Sequence, residues 1–208
     1  MSGSPRSDDI RAAALDLFTR FGYEATTMAD IGAAIGVRGP SLYKHVGSKQ
    51  ELLVEVTRRT MDELLAQHRA AVATTDDPAE RLRRATETHV RYHARHRLEA
   101  FVGNRELRSL QEPFRAEVLA RRAEYEACFR DLVSAGVAAG RFRVASARLA
   151  SYAILDLGMG VAVWFREDGE ISEDAVVWEY GELALRIVGA DPAAPAQGSA
   201  PERPTPAG

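Results

Sequence analysis

Cysteine is nearly absent from this sequence, with Cys128 standing alone. One thiol excludes an internal disulfide and a cysteine-rich zinc site, and it fits a reducing compartment. Lysine is almost as scarce: Lys44 and Lys49 are the only two, and arginine carries the rest of the positive charge. No run reaches the roughly 18 uninterrupted apolar residues of a membrane span, because Ser151 and Asp156 interrupt the most apolar stretch, Leu149 to Phe165. No secretory pattern opens the chain, so a soluble, cytoplasmic protein with no membrane association is expected. The net charge of -3 over 208 residues excludes DNA binding through a global positive field, so such contact must come from a local patch. Strand signals are also scarce, which leaves an all-α fold with no internal repeat.

What is present is concentrated in Ala29 to Glu51, ADIGAAIGVRGPSLYKHVGSKQE. Thr27 is a suitable N-cap, and Asp30 follows three residues later, facing free backbone N–H groups and the positive end of the helix dipole. Ile31, Ala34 and Ile35 recur at helical spacing, and Gly36 ends the helix because it tolerates positive φ. Arg38-Gly39-Pro40 opens a second short helix with Leu42 and Val46 as its inward face, and Ser48 with Glu51 starts a third. Two helices around a glycine turn form a helix-turn-helix. The stretch from Arg38 to Lys49 also holds Arg38, Lys44, His45 and Lys49 with no acid among them, which supplies the local patch.

The remaining chain divides simply. Residues 1–7 are small and polar and are expected to fray. Ile10, Ala14, Leu15, Leu17, Phe18 and Phe21 predict an amphipathic helix ended by Gly22, which closes a three-helix head over 8–50. A helical body is expected over 51–190, with helices at 51–73, 78–96, 98–110, 113–139, 145–166 and 172–189. From Asp191 onward proline, alanine and glycine dominate, so 191–208 reads as a disordered tail.

The head resembles the tetracycline-repressor (TetR) family of bacterial regulators. The resemblance rests on Gly22 with Thr26-Thr27-Met28, Ile31 to Val37, Pro40-Ser41-Leu42-Tyr43-Lys44-His45-Val46, Ser48-Lys49 and Leu52. Gly32, Ile35, Val46 and Arg38 depart from its usual alanine, alanine, phenylalanine and serine or threonine. The resemblance implies an all-helical homodimer paired through its last two long helices, with a double-stranded DNA operator and a small-molecule inducer as partners and no cofactor. It implies repression as the commoner mode. In helix-turn-helix docking the second helix enters the major groove. That makes Arg38 the candidate for a guanine contact, Ser41 for a base or phosphate, and Gly39 and Pro40 for close approach. Tyr43, Lys44, His45, Thr26, Thr27 and Lys49 are the candidate phosphate contacts.

In the body, His89 to Arg108 carries the most chemistry. Leu82, Ala85, Thr86, His89, His93 and His96 share one helical face, so all three histidines are expected to point inward. Three readings of that stripe stand: packed core histidines, ligand contacts, or a zinc site completed by His96 or Asp156. A metal-binding helical-bundle enzyme built on His89 and His93 is the alternative function, and it lacks the second Glu-x-x-His half that a di-iron bundle needs, a phosphate loop and a nucleophile elbow. Residues 81–108 hold eight arginines against three glutamates. That excess, the apolar helix containing Gly158 and Gly160, and Trp164 to Gly169 resemble the TetR branch that senses acyl-CoA thioesters in lipid and steroid breakdown. Arginines such as Arg105 would take the phosphates, while Phe101, Trp164 and Phe165 would line an acyl slot. His89, His93 and Asp156 complete the candidate ligand set.

Overall fold

The computed structural model describes the backbone of residues 5–37 and 39–190 and the side chains of residues 7–37 and 41–190. The expected tail at 191–208 therefore lies outside the described residues, as do the side chains of Arg38, Gly39 and Pro40. The described elements are helical: α1 (Pro5–Phe21), α2 (Met28–Ala34), α3 (Gly39–Leu42), α4 (Lys49–Val72), α5 (Pro78–Arg95), α6 (Arg97–Arg105), α7 (Phe114–Ala138), α8 (Ala147–Trp164) and α9 (Glu173–Ile187). A 3-10 turn, Glu106–Ser109, takes the end of the helix expected over 98–110. The first helix begins at Pro5, so the last residues of the segment expected to fray are helical.

The chain forms two compact units. Among the described residues one comprises 5–62 and 97–121, the other 63–96 and 122–190. In the first, Ile10, Ala14 and Phe18 of α1 pack with Ile31 of α2, Leu42 of α3, and Leu52, Leu53 and Val56 of α4. Val102 of α6, Leu110 and Val118 join the same cluster, so this core extends beyond the helix-turn-helix itself. The sequence places its punctuation correctly here: Gly22 ends α1 at φ +85° and Gly36 ends α2 at φ +67°. Gly32, where the family usually has alanine, leaves room for the turn, because a Cβ there would stand 2.7 Å from the Val37 carbonyl oxygen.

In the second unit, α5 packs against α8 and α9, and α8 packs against α9. Val90 and Ala94 of α5 meet Val161 and Phe165 of the α8 end and Val176 and Val177 of α9. The arginine excess on α5 is resolved in this layer. Arg91 reaches Glu173 and Asp174 of α9, and Arg95 donates to Glu173 at 2.8–3.1 Å. Arg83 pairs with Glu80 and Glu87, and Arg84 with Glu80. Arg83, Arg84, Arg91 and Arg95 are thus tied to acids, partly on α9, instead of forming an anion site. Hydrogen bonds from Arg95 and Arg91 hold the Glu173 carboxyl below its ordinary range.

Among the described residues α8 is the helix with the length and hydropathy of a membrane span. Its inner face, with Ile154, Leu155, Gly158 and Val161, is buried in the second unit. The outer face stays open and apolar, with Leu149 67% and Val163 69% exposed and Tyr152, Leu157 and Trp164 also exposed.

Candidate DNA-reading head and sensing core

The head is assembled from caps. Thr27 accepts the Asp30 N–H at 3.2 Å while the Asp30 carboxylate accepts the Thr27 N–H at 2.8 Å, a reciprocal capping box that starts α2. These bonds hold the Asp30 carboxyl below its usual range. Ser48 accepts the Glu51 N–H at 3.1 Å at the start of α4, but the Glu51 carboxylate reaches past Ser48 to the Gly47 N–H at 2.9 Å. Between these caps, Leu42 and Val46 are buried, and Ser41, Tyr43, Lys44 and His45 are exposed together on the outer side. The expected inward and outward faces of this segment are therefore both found.

Two candidate phosphate contacts are placed differently from expectation. Thr26 is buried and donates to the Gly22 carbonyl at 2.8 Å, so its hydroxyl serves the α1–α2 turn. The Lys49 ammonium donates to the carbonyls of Tyr23 at 2.7 Å, Thr26 at 2.8 Å and Glu24 at 3.4 Å, and lies 4.2 Å from the centre of the Tyr23 ring. Its three donors are used inside the head, binding the first turn of α4 to the segment that leads into α2. On the other side of that segment Glu106, buried on the 3-10 turn, accepts the Tyr23 N–H at 3.3 Å and the Ser109 hydroxyl at 3.1 Å. Spacing gave no sign of Glu106 because the Tyr23 N–H it holds is 83 residues away.

In the second unit, His89 and His93 are buried as expected. His89 Nε2 stands 3.1 Å from the Leu155 carbonyl, which only accepts, so this nitrogen carries the proton. Nδ1 is then the acceptor for the Tyr125 hydroxyl at 3.1 Å. With both nitrogens occupied, His89 has none for a metal. His93 Nδ1 donates to the His89 carbonyl one turn back at 2.9 Å. Burial depresses both imidazoles, His93 to about 4 and His89 well below the ordinary value; the His93 charge works in the same direction on His89, and the Arg122 and His96 charges do so on His93. Burial likewise pushes the Tyr125 phenol up.

Several expectations are corrected. His96 is not a third inward histidine, because α5 ends at Arg95 and His96 caps it, its ring stacked on Tyr92 at 4.4 Å. Asp156 is exposed: Leu155 and Gly158 face inward, and the next position after Leu155 is turned about 100° away. It cannot complete a site with His89, and among the described residues no cluster of three His, Cys, Asp or Glu side chains has metal-binding geometry. Phe165 is a core residue of the α5–α8–α9 layer, whereas Trp164 is exposed and lies 6.4 Å from the Tyr180 ring. Phe101 and Arg105 belong to the first unit, with the Arg105 guanidinium 5.5 Å from the Phe101 ring and 3.7 Å from Glu106. Gly158 makes room for an imidazole, since a Cβ there would lie 2.2 Å from the His89 ring. Gly160 has nothing within 4 Å.

The sequence reading missed His68. It continues the α4 stripe of Met61, Leu64 and Leu65 at helical spacing and is 4% exposed. Its ring lies 5.1 Å from Phe129 and 5.9 Å from Tyr125, and burial, followed by the nearby Arg81 charge, lowers it to about 4.

Comparison with known proteins places this arrangement. Residues 10–56 match the family model described as bacterial regulatory proteins, tetR family, and residues 75–188 match the tetracyclin repressor-like C-terminal domain. The HTH-type transcriptional repressor KstR2 of Rhodococcus jostii is 29% identical over 185 residues, covering 88% of this chain and 90% of that protein. A tetR-family regulatory protein from Rhodococcus RHA1 superimposes with a TM-score of 0.84 at 32% identity, covering 91% of this chain and 100% of the other. AibR in complex with isovaleryl coenzyme A and operator DNA shares the fold at a TM-score of 0.77 and 23% identity, covering 89% of this chain and 100% of its own. The capped helix-turn-helix, the helical body and these matches together show that the chain belongs to the tetR family of bacterial regulatory proteins, DNA-binding transcription regulators and not enzymes.

Proposed function

We propose that this protein is a cytoplasmic repressor that binds a palindromic operator as a homodimer and leaves it when an acyl-CoA binds the body. The observation that carries the DNA half is the exposed, acid-free row of Ser41, Tyr43, Lys44 and His45 over buried Leu42 and Val46. Arg38, at the start of this segment, is the proposed guanine reader, with Gly39 and Pro40 beside it allowing close approach. Ser41, Tyr43, Lys44, His45 and the exposed Thr27 face the backbone, while Thr26 and Lys49 support the segment from behind. Lys49 thus becomes a positioning residue in this reading.

The open apolar face of α8 supports dimerisation. Leu149, Tyr152, Leu157, Val163 and Trp164 form a stripe of the kind that a second copy would cover. Repression is supported by the KstR2 relative, a repressor by name, and an acyl-CoA inducer by the AibR complex, which holds isovaleryl coenzyme A and operator DNA. His89 and His93 would form the neutral wall of the sensing core. Release then follows from linkage: the thioester frees DNA only to the extent that it prefers the non-DNA conformation. The test is fluorescence anisotropy of the protein on its operator during titration with CoA thioesters and with the matching free acids. Release by thioesters alone is expected, and indifference to every thioester would reject the inducer class.

A further inference from the structure

The backbone of Tyr23 is held from two sides. α1 closes with the Gly22 N–H on the Phe18 carbonyl, so the Tyr23 N–H falls beyond the helix ladder. The Glu106 carboxylate accepts that N–H at 3.3 Å, and the Lys49 ammonium donates to the Tyr23 carbonyl at 2.7 Å. The Tyr23 hydroxyl donates to Gln50 at 3.3 Å, and its ring lies 5.3 Å from that of Phe18. Thr27 then caps α2, and the Val37 N–H on the Gly32 carbonyl at 2.8 Å ties the turn that leads to α3. The setting of Tyr23 therefore sets where α2 starts and, through α2, how the exposed row of Ser41, Tyr43, Lys44 and His45 is aimed.

Lys49 belongs to the helix-turn-helix by sequence, but Glu106 does not. The tetR-family match ends at residue 56, and Glu106 lies in the stretch matched to the C-terminal domain. Its segment nonetheless folds into the compact unit of the head, where α6 packs on α1. Glu106 is 3% exposed, and a buried carboxylate is costly unless hydrogen bonds compensate it. Oε1 accepts from Tyr23, Oε2 accepts the Ser109 hydroxyl at 3.1 Å, and the half-exposed Arg105 guanidinium stands 3.7 Å away. Ser109 and Arg105 are close neighbours along the chain, and an apolar residue at 106 would need neither. What the carboxylate supplies that an apolar side chain cannot is an acceptor for a backbone N–H beyond the end of α1.

We propose that Glu106 is a positioning residue for DNA reading, whose carboxylate fixes the Tyr23 peptide, and with it the start of α2, in the setting that the recognition segment needs. The proposal rests on the reading above of Ser41 to His45 as the DNA-facing row. Without this bond the 22–27 segment populates other settings, and the apparent affinity for DNA falls with the fraction that is still correctly set.

The test is fluorescence anisotropy of the full-length protein on the palindrome that the parent selects from a random DNA pool, at several salt concentrations, with hydrogen–deuterium exchange over residues 22–34 of the same samples. Two variants separate geometry from charge. Glu106→Gln keeps the length and an acceptor oxygen without the charge, whereas Glu106→Asp keeps the charge but is one methylene short of Tyr23. Glu106→Gln binds within about twofold of the parent, the difference between a charged and a neutral acceptor. Glu106→Asp and Glu106→Ala bind about tenfold more weakly, as expected when one buried hydrogen bond no longer holds the competent setting. Their salt slopes match that of the parent, because no phosphate contact is lost. Exchange over 22–34 quickens in these two and stays at the parent rate in Glu106→Gln. All readings are taken below the melting temperature of every variant and scaled to the folded fraction, so a lower melting point alone moves none of them. If Glu106→Ala does not fold, the comparison of Asp with Gln decides alone. Binding by Glu106→Asp at the level of the parent, or a Glu106→Gln no tighter than Glu106→Asp, overturns the positioning role. In those cases the parent still selects a palindrome, whereas failure of the DNA reading itself shows as no sequence selected by the parent and removes the proposal with it.

Discussion

The caps of the helix-turn-helix close within a turn of helix, while His89 and the α5–α9 ion pairs of the body close across 36 to 83 positions. Thr27 meets Asp30 and Ser48 meets Glu51 three residues on, but His89 meets Tyr125 36 residues away and Leu155 66 away, and Arg91 meets Glu173 82 away. The head presents Lys44 and His45 outward. The body buries neutral imidazoles and neutralises its arginines. In the reading proposed above, the difference divides two tasks within one chain: local caps fix a surface for a charged partner, and a buried, long-range polar core lines the unit that would take the inducer.

The sharpest way to break this contrast is pH. Burial lowers His68 and His93 to about 4 in the fold and His89 well below its ordinary value, whereas all three lie near 6.5 once unfolded. The unfolded chain therefore binds protons first, so the stability these groups confer is fully present above about pH 6.5 and is lost as pH falls towards 4. Each histidine contributes a slope of up to about 1.4 kcal/mol per pH unit in that window, so the three together set a slope of up to about 4 kcal/mol per pH unit. Urea unfolding at a series of pH values, read by a probe in each unit, should show the steep fall in the body. A pH-independent body between 6 and 5 would contradict the burial of neutral imidazoles.

Next in size is Gly158→Ala. Its new methyl meets the His89 ring and should destabilise the protein by about 2–3 kcal/mol, the range for overpacking a filled core. In a His89→Ala background the same change should cost far less, and equal costs in both backgrounds would separate the two residues.

The head is tested by its two lysines. Removing the Lys49 staple should cost about 1–2 kcal/mol of head stability, by analogy with a buried charge-assisted hydrogen bond, and should weaken DNA binding at every site without altering its salt dependence. Lys44→Ala should leave stability alone and lower the salt slope by about one, as for a single lost phosphate contact. Binding isotherms at several salt concentrations distinguish these outcomes, and a reversed pattern would return Lys49 to the DNA surface.

The same contrast explains what could be read from the residues alone. The helix-turn-helix, its caps, its glycine stops and the inward Leu42 and Val46 were legible because each is decided by neighbours three or four positions away. The helical body and the burial of His89 and His93 followed from periodicity. Periodicity could not say that α5 stops before His96, that Asp156 turns outward, or that Glu173 and Asp174 absorb Arg91 and Arg95. Nor could it show why Gly158 is a glycine, since the ring that requires it lies 69 positions earlier. Lys49 and Glu106 were misjudged or missed for the same reason: their partners are distant carbonyls and amides, which carry no side-chain signature.

The most direct test of the account is selection of bound sequences from a random DNA pool by the full-length protein, followed by sequencing. Enrichment of a palindrome with two equal half-sites is predicted, as two copies of one head related by two-fold symmetry require. No enriched sequence, or a lone half-site, would contradict a dimer that reads its operator through the Arg38 to Lys49 segment.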